Sequence, residues 1–494
     1  MGAHRNADTR DVQPGYFSSC RGLRARRGGN VRLGGENRGV KFLIHPPRRF
    51  TLKVTGQTRV SKVQVVADAT GLVSHAGSGL LIELADRLGL TGGLSVAMAP
   101  TRSRRSAHDP GRVLRDLGVM LAGGGDCLAD LGALRDQPAL FGRVASGPTG
   151  WRVIASLDGG VLVRVREARR AARTRAWAAG ARPAQIILDI DATLVSAHSD
   201  KEGAAPTYKR GYGHHPILCC VGGEALAGIL RPGNAGANTA ADHIAVLVAG
   251  LDQLPEGIHD NPDVPILVRA DAAGCTHDFL QAVVDMKLGF SVSMKTSDRL
   301  QDAILGVSED AWAPAVCQDM SERDGAWVTE LHNFDLTGWP EGSRVICRRE
   351  RPHPGAQLKF TDLDGHRFQA FMTDQTADPV LLEARHRARA RIEDTIRYAK
   401  DTGLRNFPFR DLAANAAWLE LVLIARDLTA WTQALLLDGD LAACEPKRLR
   451  YRLLHIAGRL TRSGRRHTLH LPKSWPWAAA LVTAFTRLRA LPAG

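Results

Sequence analysis

The sequence lacks paired cysteines. Its eight cysteines are Cys20, Cys127, Cys219, Cys220, Cys275, Cys317, Cys347 and Cys444, none in a C-x-x-C pair, and on any strand the neighbours Cys219 and Cys220 point to opposite faces. This excludes a zinc ribbon and a disulfide framework and suits a reducing compartment. Long apolar runs are missing too. The best candidate, 419–431, is broken by Glu420, Arg426 and Asp427, so no membrane span is expected. The first 30 residues carry no apolar stretch of the secretory type, and no repeat of fixed period occurs. These absences lead to the expectation of a cytoplasmic protein. Acids are the scarcer charge: 51 Asp and Glu stand against 65 Lys and Arg, a net +14 supplied almost wholly by arginine. A surface of that sign favours polyanions such as nucleic acid. What is present is otherwise ordinary for a globular chain: 494 residues, 44% hydrophobic and 23% charged, enough for about three domains at roughly 150 residues each.

Residues 1–45, rich in Gly and Arg, read as a disordered basic leader, with order beginning near Phe50 in a strand-like stretch, 50–54. Residues 46–160 are expected to form a mainly helical N-terminal domain. Leu80, Leu81, Leu84, Leu88 and Leu90 recur at helical spacing, as do Val113, Leu114, Leu117, Met120 and Leu121, with breaks at Gly92-Gly93 and Gly123–Gly125. With Arg102, Arg104 and Arg105 this pattern suits a helix-turn-helix DNA reader, and equally a plain helical bundle. Residues 161–182 read as a basic linker helix. Arg164, Arg166, Arg169, Arg170, Arg173 and Arg175 repel one another with only Glu167 among them, so Arg169, Arg170 and Arg173 are candidate DNA-phosphate contacts.

Residues 183–297 alternate in α/β fashion. Strands are expected at 185–194, 217–221, 225–230, 264–270 and 290–294, and helices at 240–251 and 278–286, giving a mixed sheet with helices on its faces. Residues 298–378 contain Trp312, Trp327 and Trp339 among short alternating segments and read as a β-rich insertion. The core resumes over 379–440 with a long helix, Leu381–Thr402. Residues 441–494 read as a basic helical C-terminal region with helices at 447–461 and 476–490. Lys447–Arg466 carries eight Lys or Arg, half of them expected on DNA. His214-His215 and Trp475-Pro476-Trp477 are read as structural, the latter as helix-start packing.

Three acids stand out by context. In the apolar strand Ile186–Leu194, Asp189 and Asp191 share a face, and burying two carboxylates there is costly unless something neutralises them. Asp271 ends the strand 264–270, where ligands bind in open α/β sheets. Glu393 lies on the helix Leu381–Thr402 in one stripe with His386, Arg389, Arg397 and Lys400. A carboxylate set among cations is a poor structural design and a good one for a metal ligand beside phosphates.

The order of strand Asp, strand-end Asp and helix Glu resembles the DDE-type transposases of bacterial insertion sequences. The segments that carry the resemblance are Leu188–Thr193, Tyr208–Pro216, Arg231–Asn234, Arg269–Gly274 and Arg389–Glu393, and it spans roughly residues 60–490. One group of that family carries Tyr-x2-Arg-x3-Glu-x6-Lys on its last catalytic helix. Here it reads His386-x2-Arg389-x3-Glu393-x6-Lys400, with histidine in place of tyrosine. The resemblance implies a ribonuclease H-like mixed sheet interrupted by the β-rich insertion. It implies Asp191, Asp271 and Glu393 as catalytic ligands of two Mg2+ ions, with Mn2+ as a substitute, and Arg389, Lys400 and Arg397 at the DNA. It also implies cleavage at the transposon ends and transfer of the 3′ ends to target DNA. The partners would be double-stranded DNA of terminal inverted repeats and target, held by a dimer in the bacterial nucleoid. Asp189 stays open as an alternative first ligand and Asp394 as a substitute for Glu393.

Two rivals remain. Asp189-Ile190-Asp191-Ala192-Thr193 fits literally the first motif of haloacid dehalogenase-type phosphatases, with Asp189 as nucleophile. Against it, about 185 residues precede the strand and no Asp-Asp or Gly-Asp-x3-Asp comes after it. The other rival is a non-catalytic DNA-binding protein.

Overall fold

The computed structural model describes residues 65–102, 107–236, 239–352, 355, 362 and 365–492. The expected leader, the strand at 50–54, and Arg104 and Arg105 lie outside the described residues. The chain divides after Val66, and the unit from Ala67 onward carries the fold.

A nine-stranded mixed sheet organises this unit. Its strands are β1 (Ile186–Ala192), β2 (Ile217–Val221), β3 (Glu224–Ile229), β4 (Ile266–Ala270), β5 (Gly289–Ser293), β6 (Ala313–Val316), β7 (Glu322–Glu330), β8 (Arg344–Glu350) and β9 (Arg367–Thr373). Their order across the sheet is β6-β7-β8-β9-β5-β4-β1-β2-β3. β1, β2 and β3 run antiparallel, β2 and β3 being joined through Gly222 at φ +54°. β4 is parallel to β1, and β5 to β4. The residues expected as a separate β-rich insertion continue this sheet: β9 pairs antiparallel with β5, placing Phe371 opposite Ser293 and Thr373 opposite Ser291.

The helices that bear on the site are α1 (Gly159–Ala176), α2 (Ala240–Leu251), α3 (His277–Asp285), α4 (Pro379–Arg387), α5 (Arg391–Ala399) and α6 (Leu412–Leu436). Local chemistry starts several of them. Asp158 caps α1 by accepting from the Val161 N–H at 2.8 Å, and Asp378 caps α4 just before Pro379. On one face of the sheet, α2 and α3 pack Val246, Leu247, Phe279 and Leu280 against Ile186, Leu188 and Ile190. On the other, Leu218, Cys220 and Ala225 meet α5 and α6. Side chains alternate along a strand, so Asp189 and Asp191 face the α5/α6 side.

The helices of 79–122 do not stand apart. Leu80, Leu84, Leu114 and Leu121 share one core with Trp418 and Trp431 of α6 and with Leu481 and Leu488 near the C-terminus. Two helix expectations are corrected. The stretch 381–402 is not continuous: α4 ends at Arg387, Ala388–Ala390 winds tighter, α5 comes next, and a wider turn through Lys400–Leu404 breaks at Thr402 and Gly403. The helix expected at 447–461 ends early, and Gly458–Ser463 pairs with Arg466–His470 as a β-hairpin.

Candidate active site

The parallel register of β1 and β4 builds the site. It pairs Asp189 with Arg269 and Ile190 with Ala270. Continued by one residue, it sets Asp191 beside Asp271 at the carboxyl ends of adjacent strands, which run about 4.8 Å apart. The sharp turn after β4 arises from its small residues. The Ala273 N–H donates to Asp271 Oδ1 at 3.1 Å, and a Cβ on Gly274 would lie 2.6 Å from Ala270 Cβ.

Asp191 is largely buried. Its Oδ2 lies 3.2 Å from the Arg389 guanidinium, and its Oδ1 accepts from the Ala192 N–H at 2.8 Å. Burial pushes its carboxyl pKa up to about 6; Arg389 opposes the rise, while the negative charges of Asp271 and Glu393 add to it. Asp271 and Glu393 are therefore near enough to act on Asp191. The three acids do not close within 4.8 Å: among the described residues, the donors that do are Asp126, Cys127 and Asp130. That group is a local cap, since Asp130 Oδ2 accepts from the Asp126 and Cys127 N–H groups.

Glu393 is exposed in the first turn of α5, which Ile392 and Ile396 anchor in the core. Arg389 precedes it in the tight turn. Beyond Asp191 it reaches the Ile190 carbonyl at 3.4 Å, and its Nε is buried with no hydrogen-bond partner among the described residues. Lys400 is half-buried, with its pKa lowered by burial and by Arg405 and Lys209. Arg397 is exposed, pairs with Asp394 at 2.9 Å and lies over the Tyr398 ring.

Several expected site residues do other work. Asp189 is locked structurally: Arg269 donates to both of its oxygens at 2.7 Å. His386 turns away from the acids. It stacks on Phe371 at 4.2 Å, shares hydrogen bonds with the Ser291 and Ser293 hydroxyls, and is held neutral, its pKa pushed down to about 3 by burial and nearby guanidinium charges.

The expected phosphate contacts at Arg169 and Arg173 are corrected. Both are essentially unexposed. Arg169 pairs with Glu420 and Asp427, and Arg173 with Glu224 and Asp427, each at 2.5–2.7 Å. Their charge is neutralised inside the fold, which removes the repulsion that pointed to a polyanion. Arg170 is exposed.

Sequence reasoning missed the neighbours of Asp271 as site residues. Its charge acts on His215 and His243, and Arg231 ties the segments together by donating to the His215 carbonyl at 2.9 Å while pairing with Asp242 at 2.9 Å. Their signal lay in the segments Tyr208–Pro216 and Arg231–Asn234, whose use could not be read until they met.

Asp191 and Asp271 thus stand at neighbouring strand ends, with the Arg389 guanidinium against Asp191. Residues 56–493 match the family described as Transposase DDE domain group 1, and the chain belongs to it. No curated protein matches. The chain is similar to the cryo-EM structure of piggyBac transposase synaptic complex with hairpin DNA, at 11% identity, over 76% of this chain and 80% of that one, with a TM-score of 0.39; so loose a likeness carries no argument. No described helix is long and apolar enough to cross a membrane.

Proposed function

We propose that this transposase cleaves DNA at the ends of an insertion sequence and joins the 3′ ends to target DNA, with Asp191, Asp271 and Glu393 as metal ligands. The observation that carries the reading is the register placing Asp191 beside Asp271 on the face covered by α5. The donor set fits two Mg2+ ions, or Mn2+ in their place: three carboxylates are hard oxygen ligands, and a dication would relieve both the burial that chiefly raises the Asp191 pKa and the like charges of Asp271 and Glu393 that add to it. Bound there, the ions would supply stabilisation of charge on the attacking and leaving oxygens of an in-line phosphoryl transfer.

The chain's own groups do the rest. Arg389, already against Asp191, and Lys400 hold phosphates near the cut, with Arg397 and Arg170 on the DNA further out. We read β1–β5 with α5 as the ribonuclease H-like core that the resemblance implies. Two ends joined in one event require a dimer on DNA, acting on terminal inverted repeats in the bacterial nucleoid. The phosphatase rival needs a free Asp189 nucleophile, and both Asp189 oxygens are held by Arg269.

Nicking of a supercoiled plasmid carrying the element's end tests the assignment. Asp191→Asn, Asp271→Asn and Glu393→Gln should each lower Mg2+-dependent nicking by a factor of about 100 or more, the several kcal/mol that held cations supply, while end binding persists. Near-wild-type nicking by any one of them removes that residue from the site.

A further inference from the structure

We propose that the C-terminal hairpin Gly458–His470 is a second DNA-binding element, a two-stranded ribbon that lies in the major groove of duplex DNA. The proposal rests on the transposase reading only in taking DNA as the polyanion; it needs none of the three acids.

The charge is one-sided. From Pro446 to Gly494 the sequence has eleven Lys or Arg and no Asp or Glu. The hairpin gathers four of these arginines, Arg459, Arg462, Arg465 and Arg466, all exposed, together with exposed His467 and His470. Register sets Arg459 opposite His470 and Arg462 opposite His467. Among the described residues no carboxylate pairs with any of the four arginines; the Arg462 Nε donates only to the Gly464 carbonyl, at 3.1 Å. In α1, by contrast, the buried Arg169 and Arg173 are each matched by acids of the fold. The hairpin's arginines have no such partner among the described residues, which leaves their charge open to a polyanion.

The shape is also defined. A two-residue turn, Gly464-Arg465, closes the ribbon with Gly464 at φ +59°. Its root is fixed: Leu460 faces Leu469, both pack on the core, the Leu460 N–H donates to the Gly71 carbonyl at 2.8 Å, and Leu72–Val73 adds a third strand. The five paired positions extend about 17 Å, and a groove about 12 Å wide admits a two-stranded ribbon. The A-form RNA groove is too narrow for it. The ribbon's outer half, Thr461–Thr468, has no large apolar side chain to enter a bilayer.

The test uses the full chain in EDTA, so that binding is separated from any metal chemistry, with a labelled 30-base-pair duplex followed by fluorescence anisotropy across a salt series. Replacing Arg459, Arg462, Arg465 and Arg466 together by Ala should weaken binding at least tenfold and flatten the slope of log K against log salt by about 3 to 4, since each phosphate contact contributes about 0.9. The same four changed to Lys should keep the slope within about one of wild type, which separates charge from fold. Wild-type affinity and slope in the Ala protein would overturn the proposal. So would an undiminished DNA affinity accompanied by lost binding to phosphatidylglycerol vesicles. Asp191→Asn should bind as wild type under these conditions; if that variant still nicks plasmid, the catalytic assignment fails while the hairpin result stands.

Discussion

His386 displays the chemistry of a buried titratable group without a counter-charge. It sits against Phe371 and two serine hydroxyls, and burial together with Arg389, Arg269 and Arg348 holds its folded pKa near 3. Unfolded, it titrates near its ordinary value of about 6.5. Between these values the unfolded chain binds the proton and the folded one does not. The neutral ring is thus no liability above about pH 6.5, and stability drains away as pH falls from there towards 3. Against His386→Gln, which keeps a hydrogen-bonding group but cannot titrate, wild type should lose up to about 1.4 kcal/mol per pH unit across that window. Urea unfolding at pH 7, 6, 5 and 4 measures it, and parallel curves for the two proteins would refute it. The signature's tyrosine position is in this chain a packing position. Asp189 and Asp191 make the complementary case: two acids on one strand face, one with both oxygens held by Arg269, the other met by Arg389 and the Ala192 N–H and left with like charges beside it.

At the scale of elements, buried ions as well as apolar side chains join α1 to α6. Asp427 Oδ2 accepts from both Arg169 and Arg173 at 2.7 Å, while Glu224 accepts from Arg173 and from the Trp177 and Trp431 indoles. Removing one member of a buried network strands the others. Asp427→Ala should therefore cost about 3–5 kcal/mol, read by urea unfolding, whereas Arg170→Ala on the outer face of the same helix should change stability by less than about 0.5 kcal/mol. Equal effects would mean that the network is not what joins these helices. The break between α4 and α5 has a comparable local logic. Three residues wound at about 120° instead of 100° rotate the succeeding helix by roughly 60°. His386 can then face the sheet while Arg389 reaches Asp191 and Glu393 stays outside. A stripe drawn on a continuous helix puts all of them on one side.

Across the whole molecule, the helices that precede the sheet and those that come after it close over one face as a single core. Leu114 and Leu121 lie with Trp418, Ile424 and Leu481, so α6 has no solvent face of its own: most of its 25 residues are buried, Glu420 and Asp427 included. A chain begun at residue 183 would leave that helix bare on one side and remove Arg169 and Arg173 from their acids. Such a fragment should fail to show a cooperative thermal transition, whereas the chain from residue 65 should show one; calorimetry of the two decides. Helices 79–122 therefore act first as a structural layer, and whatever DNA contact they make is made from a fixed position.

Much of this was legible in the amino acids, because short-range rules govern it. The apolar strand with Asp189 and Asp191, the strand ending at Asp271, the glycine turn at 222–223 and the alternating insertion all arise from periodicity and turn chemistry, which act over a few residues. The spacing of Asp191, Asp271 and Glu393 carried the family. What only the folded chain decided were the partners of charges. Arginines six to a helix look alike as letters, yet two meet buried acids some 250 residues further along and become core, while those of 459–466 meet none among the described residues and stay exposed. Charge energy depends on distance and on exclusion of water, and neither exists until distant segments are brought together.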